Sequence, residues 1–324
     1  MHKAGTLEQE IRATVHRSVR QVVVLEDETV LDLMLVALMC GGHILLDDIP
    51  GVGKTLLARA FARTLGIGFR RIQFTPDLLP SDVTGLNFFN QKTSEFEWRP
   101  GPLFTNVLLA DEINRATPRT QSSLLECMQE STVTVDGVTR QIPPPFLVIA
   151  TQNPVEMEGT FPLPEAELDR FLLCLRLGYP SLDGEREIVR RFLNEDPLKD
   201  VRPQVTSEQL ARLRAACRRA RLSGPVLDYA LAVCRATRDV EGVRLGVSPR
   251  GTLYLTRCAQ ALAVLRGREF VLPDDVQDVA VPVLAHRLVP DIESSLYKMD
   301  GATVVRQVLA RVPVPIGYDE EHQP

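Results

Sequence analysis

Metal-binding and redox signatures are missing from this sequence. Neither Cys-x-x-Cys nor His-Glu-x-x-His occurs, and the six cysteines (Cys40, Cys127, Cys174, Cys217, Cys234, Cys258) are widely spaced within apolar or helical patterns. They read as reduced core thiols rather than zinc ligands or a disulfide framework. The five histidines are equally scattered, with no partner that would suggest catalysis. No apolar run approaches the ~20 residues needed to cross a bilayer, and Met1-His2-Lys3-Ala4-Gly5-Thr6 lacks the apolar core of a secretion signal. No transmembrane segment is expected, and a cytoplasmic location is. Basic charge is not in excess either: a net charge of -5 and a pI near 5.7 give no global attraction to nucleic acid, leaving room only for a local basic stripe.

What is present fits a folded chain. Hydrophobic residues at 44% and charged residues at 24% belong to the globular class rather than the disordered one. At 324 residues the chain is long for a single core, so two domains are expected.

The chain is organised around Asp48-Ile49-Pro50-Gly51-Val52-Gly53-Lys54-Thr55, set between the apolar run Ile44-Leu45-Leu46 and the helical stretch that begins at Leu56. A strand, a tight loop and a helix start turn successive backbone N–H groups toward one concavity, where phosphate oxygens bind. Lys54 would reach the β- and γ-phosphates, and the Thr55 hydroxyl would hold a magnesium ion. A cation at a helix N-terminus is unfavourable unless an anion is expected there, which argues against an ordinary turn. One position departs from Gly-x-x-x-x-Gly-Lys-Ser/Thr, because Asp48 stands where glycine is expected.

A second landmark is Asn106-Val107-Leu108-Leu109-Ala110-Asp111-Glu112. Small and apolar residues before two carboxylates describe a buried parallel strand whose carboxyl end emerges where open α/β sheets bind ligands. Asp111 would bind magnesium through water, and Glu112 would orient and polarise the attacking water. A third strand, Phe146 to Thr151, ends at Gln152-Asn153-Pro154, so Asn153 could position that water; asparagine before proline is also an ordinary turn starter. Arg170, just before the apolar segment Leu172 to Leu177, is either a surface arginine paired to Glu167 or Asp169, or one presented to the nucleotide of a neighbouring subunit.

Around these landmarks the periodicity predicts helices over residues 7–20, 26–39 and 118–130, an extended Val22-Val23-Val24, a strand at residues 69–74, and a loop or cap at Ser81 to Gly85. Hairpins are expected near residues 86–99 and, at Asp136-Gly137, 132–142; Trp98, the sole tryptophan, reads as a packing residue. Helices follow at residues 206–221, where Thr206 and Gln209 form a capping-box pattern, and at 225–238, 249–265 and from Pro273 to about Leu288. Arg212, Arg214, Arg218, Arg219 and Arg221 cluster on the first of these and read first as a solvated face, with a partner or nucleic-acid surface second.

This ordered set resembles the AAA+ ATPases and, within them, the MoxR family. The carrying residues are Ile49 to Thr55, Leu109-Ala110-Asp111-Glu112-Ile113-Asn114-Arg115-Ala116, Ala150 to Pro154, Leu163 to Phe171, and Val247-Ser248-Pro249-Arg250. Asp48 also looks like MoxR usage. The resemblance implies a P-loop NTPase with an α/β parallel-sheet core over residues 1–180 and a small all-α lid over 181–324. It implies ATP and Mg2+ as cofactors, with Asp48, Pro50, Gly51, Val52, Gly53, Lys54, Thr55 and Leu56 at the nucleotide, Thr55 and Asp111 at the metal, Asn153 as sensor 1, Arg170 as arginine finger and Arg250 as sensor 2. The two hairpins look like the helix-2 insert and the pre-sensor-1 hairpin, elements that often face a ring's central pore. It further implies ATP hydrolysis in a homo-oligomeric ring, expected as a hexamer, that remodels or activates a protein client together with a von Willebrand factor A domain protein. A nucleic-acid partner is not expected. Alternatives are a magnesium-chelatase-like or nucleic-acid-motor subunit, or a nucleotide-gated scaffold with little hydrolysis.

Overall fold

The computed structural model describes residues 6–153, 159–193, 196–291 and 300–315. Contacts divide the chain into one compact unit, Gln9–Leu213, and a second made of Met1–Glu8 with Arg214–Pro324.

The first unit is built on a five-stranded parallel sheet. In chain order its elements are helices α1 (Leu7–Arg20) and α2 (Thr29–Cys40), strand β1 (Ile44–Asp47), α3 (Lys54–Thr64), β2 (Phe69–Gln73), α4 (Pro80–Thr84), the hairpin β3 (Gly85–Asn90) and β4 (Glu95–Pro100), and β5 (Val107–Asp111). Then come α5 (Pro118–Glu130), the hairpin β6 (Thr132–Val135) and β7 (Val138–Gln141), β8 (Leu147–Gln152), α6 (Glu165–Leu168), β9 (Leu173–Leu175), α7 (Leu182–Phe192) and α8 (Ser207–Cys217), in which the division falls. The strand order is β2-β5-β8-β1-β9, with every neighbouring pair parallel.

Both faces of this sheet are covered, which is why its central strands read as continuous apolar runs. Alternate side chains point to opposite faces. Leu45, Leu108, Ala110, Val148 and Ala150 join Leu124, Leu125 and Met128 of α5 in one buried cluster, whereas Ile44, Leu46 and Ile149 gather with Met34 of α2 and Leu57 and Ala58 of α3. His43, fully buried just before β1, ties the base of the sheet together. Its Nε2 bonds the Met128 carbonyl at 2.8 Å and its Nδ1 accepts from the Val148 N–H at 2.9 Å, which fixes the neutral tautomer with the proton on Nε2.

The two hairpins are fastened to each other. Asn87 Nδ2 donates to Asp136 Oδ2 at 2.7 Å, and the Arg140 guanidinium lies 4.1 Å from the centroid of the Trp98 ring, which also packs edge-on against Phe104. Asp136 and Gly137 both take positive φ (51° and 75°), the geometry that a two-residue hairpin turn needs.

Several expectations differ locally. Ser81 to Gly85 is not a loop: Pro80 starts a one-turn helix, and Asp82 reaches back to the Leu79 N–H. Val22 belongs to the turn that closes α1, where the N–H groups of Val22 and Val23 bond back to the Val19 carbonyl, and no strand forms over residues 22–24. The capping box forms, with Thr206 N donating to Gln209 Oε1 and Gln209 N to Thr206 Oγ1.

The second unit holds helices α9 (Gly224–Ala236), α10 (Pro249–Leu265), α11 (Pro273–Leu284) and α12 (Gly301–Arg311). Among the described residues it is helical as expected apart from an antiparallel ribbon, β10 (Val243–Leu245) with β11 (Val289–Pro290), and an isolated bridge between Arg221 and Phe270; the ribbon's partners are too far apart in sequence to signal each other. Val226, Val233, Leu255, Leu262, Val276, Val279, Val283, Val305 and Val308 form its interior. The wholly buried Asp275 is held between Arg266 and Arg268 and also caps α11 by accepting the Leu272 N–H.

Candidate functional site

Three adjacent strands, β1, β8 and β5, bring their carboxyl ends to one edge of the sheet, the edge where open α/β folds bind ligands. The loop after β1 runs from Asp48 to Gly53 and enters α3 at Lys54. Gly51 and Gly53 both have φ of 86°, a left-handed conformation, and a Cβ at either would meet nothing within 4 Å. Glycine is therefore required by backbone conformation rather than by space. Lys54 Nζ donates to the Asp48 carbonyl at 2.6 Å. Burial lowers the Lys54 ammonium from its ordinary value, opposed by the carboxylates of Asp48, Asp111, Asp47 and Glu112, so the strand-tip acids lie within electrostatic reach of this lysine.

Asp111 and Glu112 are held by side chains from neighbouring strands. Thr151 Oγ1 donates to Asp111 Oδ1 at 2.6 Å and accepts the Glu112 N–H at 2.9 Å. Arg71 pairs with Asp111 Oδ2 at 2.7 Å and also donates to Gln73 Oε1, while Gln73 Nε2 donates to Glu112 Oε2 at 2.7 Å. Arg115 pairs with the same Glu112 oxygen at 3.0 Å. Glu112 itself takes a left-handed backbone (φ 56°, ψ 52°), an uncommon state for a non-glycine residue and one that recurs where a side chain must be aimed.

The structure thus brings Gly51, Gly53, Lys54, Thr55, Asp111 and Glu112 to one edge, with Pro50 exposed and Val52 and Leu56 half-buried alongside. Asn153 follows β8 at that edge and is buried; Pro154 lies outside the described residues. Arg170 follows α6, is half-buried, and its side chain makes no hydrogen bond or ion pair among the described residues, neither with Glu167 nor with Asp169. Arg250 stands exposed in the first turn of α10, in the second unit. Asp48 presents its main-chain carbonyl to Lys54, while its carboxylate serves other partners.

Arg71, Gln73, Arg115 and Thr151 were not expected from sequence. Arg71 and Gln73 sit two apart on β2, hence on one face, and Gln73 pairs in register with Asp111; that adjacency exists only once β2 is known to lie beside β5.

The donor set fits a magnesium–nucleotide pair. Thr55 and Asp111 offer oxygens, the donor class a hard divalent cation takes. Among the described residues no group of three or more His, Cys, Asp or Glu side chains could hold a metal alone, so such an ion would draw its remaining ligands from phosphate and water.

Comparisons with known proteins give the family. Residues 43–173 match the model for the ATPase family associated with various cellular activities (AAA), and residues 235–308 match that for the AAA lid domain. A relative from Bacillus subtilis, the uncharacterised protein YeaC, is 48% identical over 88% of this chain and 89% of its own. Chaperone MoxR1 of Mycobacterium tuberculosis is 43% identical over 92% of this chain and 80% of its own. The chain belongs to the MoxR family of AAA+ ATPases. A crystal structure of a candidate ATPase from Cytophaga hutchinsonii superposes on this MoxR-family chain with a TM-score of 0.88, at 36% identity, covering 95% of this chain and 97% of that one. Among the described residues no helix is long and apolar enough to cross a membrane.

Proposed function

We propose that this MoxR-family chain binds ATP with Mg2+ and hydrolyses it to ADP and phosphate. The observation that carries the reading is the meeting of the Gly51–Lys54 loop with Asp111 and Glu112 at one sheet edge. Backbone N–H groups of the loop and Lys54 receive the phosphates, Thr55 and Asp111 hold the metal, and Asn153 with Glu112 positions the water. The metal, when bound, supplies charge neutralisation on the phosphate oxygens. Glu112 accepts the water's proton as its oxygen attacks phosphorus. Lys54→Ala is expected to abolish ATP binding, and Glu112→Gln to retain ATP without turning it over. A Lys54→Ala chain that binds ATP as the unsubstituted protein does would refute the site.

The protein is further proposed to act in the cytoplasm as a homo-oligomeric ring, hexameric by family resemblance, that remodels protein clients with a von Willebrand factor A domain partner; the relative from Mycobacterium tuberculosis is named a chaperone. Two features support assembly. The Arg170 side chain makes no hydrogen bond or ion pair among the described residues, and α7 with Leu193 just beyond it exposes Leu182, Val189, Phe192 and Leu193. Arg170 then completes a neighbour's site and Arg250 acts as sensor 2. Arg170→Ala in an intact ring is expected to lose turnover while keeping ATP binding; full turnover there refutes action in trans. Co-purification tests the partner separately.

A further inference from the structure

Asp48 is the position where the phosphate loop departs from the general glycine pattern. It is only 6% exposed, and a carboxylate withdrawn from water needs donors in compensation. Three backbone N–H groups supply them. Oδ2 accepts from Leu177 at 2.5 Å and from Gly178 at 3.1 Å, and Oδ1 accepts from Ile49 at 3.0 Å. The side chain therefore joins the start of the phosphate loop to the chain that leaves β9, 129 residues further on.

Neighbouring carboxylates grip the same short stretch. Asp47 Oδ2 accepts from Arg176 Nη2 at 2.8 Å, and Glu26 Oε1 accepts from the Ser181 N–H at 2.7 Å; the Ser181 side chain first, and that N–H after it, hold the Glu26 carboxyl below its ordinary range. Residues 176–181, the connector between β9 and α7, are thus tied down along their length by three acids, two of them at the mouth of the loop. Gly178 takes a positive φ of 71°, a left-handed conformation that glycine adopts without strain, just after the two N–H groups that meet the carboxylate. Asp48 meanwhile receives Lys54 Nζ on its carbonyl. One residue holds the connector by its side chain and the phosphate-binding lysine by its main chain. Glycine at this position would do only the second.

We propose that Asp48 is a positioning residue: its carboxylate clamps the 176–181 connector to the phosphate loop, holds that loop in its phosphate-binding shape, and links nucleotide occupancy to the order of the connector. The proposal rests on the ATP reading above. By linkage, if the connector stabilises the loop's ATP-binding form, bound nucleotide must stabilise the connector in return.

The test combines hydrogen exchange with steady-state kinetics on the full chain. In the unsubstituted protein ADP slows exchange at Leu177 and Gly178 by about fivefold or more, and in Lys54→Ala it does not. Asp48→Asn leaves one acceptor oxygen and turns an NH2 toward a donor; Asp48→Gly restores the general pattern and removes the clamp. Each is expected to speed exchange over 176–181 by about tenfold or more and to raise the KM for ATP by about fivefold or more, with kcat within about twofold. A merely structural tie would speed exchange and lower the melting temperature but leave KM unchanged, and that result overturns the proposal. So does an ADP-insensitive connector in the unsubstituted protein, a measurement that needs no variant to fold. A chain that neither binds nor hydrolyses ATP refutes the nucleotide reading itself and this role with it. Normal turnover with an unshifted Asp48→Asn KM refutes this role alone.

Discussion

Acidification should destabilise the nucleotide-binding unit through His43, by an amount the structure lets one work out. Burial pushes its imidazole down from 6.5 to about 4, against the raising effect of its bond to the Met128 carbonyl. The unfolded chain therefore binds a proton at this position that the folded chain refuses, and stability falls as pH drops through that window. Above the unfolded value the group contributes no pH dependence; below the folded value the loss is complete, at about 3 kcal/mol. Between about pH 7 and about pH 5 the expected loss is about 2 kcal/mol. Carboxylates also titrate on the way down, so the informative quantity is the difference between the unsubstituted protein and His43→Gln, which keeps a side-chain donor and cannot titrate. Urea unfolding of both chains at the two pH values, followed through the unit that contains His43, gives that difference. The substituted chain starts less stable at neutral pH, because it loses the bond between Nδ1 and the Val148 N–H, and then loses about 2 kcal/mol less on acidification. Equal pH slopes for the two proteins would refute the reasoning.

Thr151→Val keeps volume but removes both bonds that Oγ1 makes, to Asp111 and to the Glu112 N–H; kcat/KM for ATP is expected to fall about 10- to 100-fold in a phosphate-release assay. Asp275→Asn leaves Arg266 and Arg268 without their buried carboxylate and should destabilise the helical unit by about 3 kcal/mol or more, seen as a lowered transition in calorimetry of the full chain. Burial pushes the thiols of Cys127 and Cys234 up to about 12 and about 11, so both should escape a thiol-reactive dye in the native protein and label once denatured.

The sequence disclosed what local chemistry encodes. The phosphate loop needs two left-handed glycines beside a lysine, Asp111 and Glu112 follow an unbroken apolar run, and Asp136-Gly137 fits only a tight turn; each of these is written in consecutive residues. The support around the acids was not legible for the opposite reason. Thr151, Gln73 and Arg71 reach Asp111 and Glu112 from β8 and β2, and nothing along the chain says which strands flank β5. Asp48 lies between these cases. Its departure from the glycine pattern was visible at once, but its purpose depends on Leu177 and Gly178, which the fold alone brings to it. The one-turn helix at Pro80 was missed because five residues carry no periodicity to read.

The central claim is that the edge formed by Lys54, Asp111 and Glu112 hydrolyses ATP. Steady-state phosphate release by the purified full chain tests it most directly. The account predicts turnover of ATP that requires Mg2+, stops on chelation, and is absent from Lys54→Ala and Glu112→Gln proteins of unchanged fold. Turnover that persists undiminished in either variant, or none in the unsubstituted, assembled protein, would contradict it.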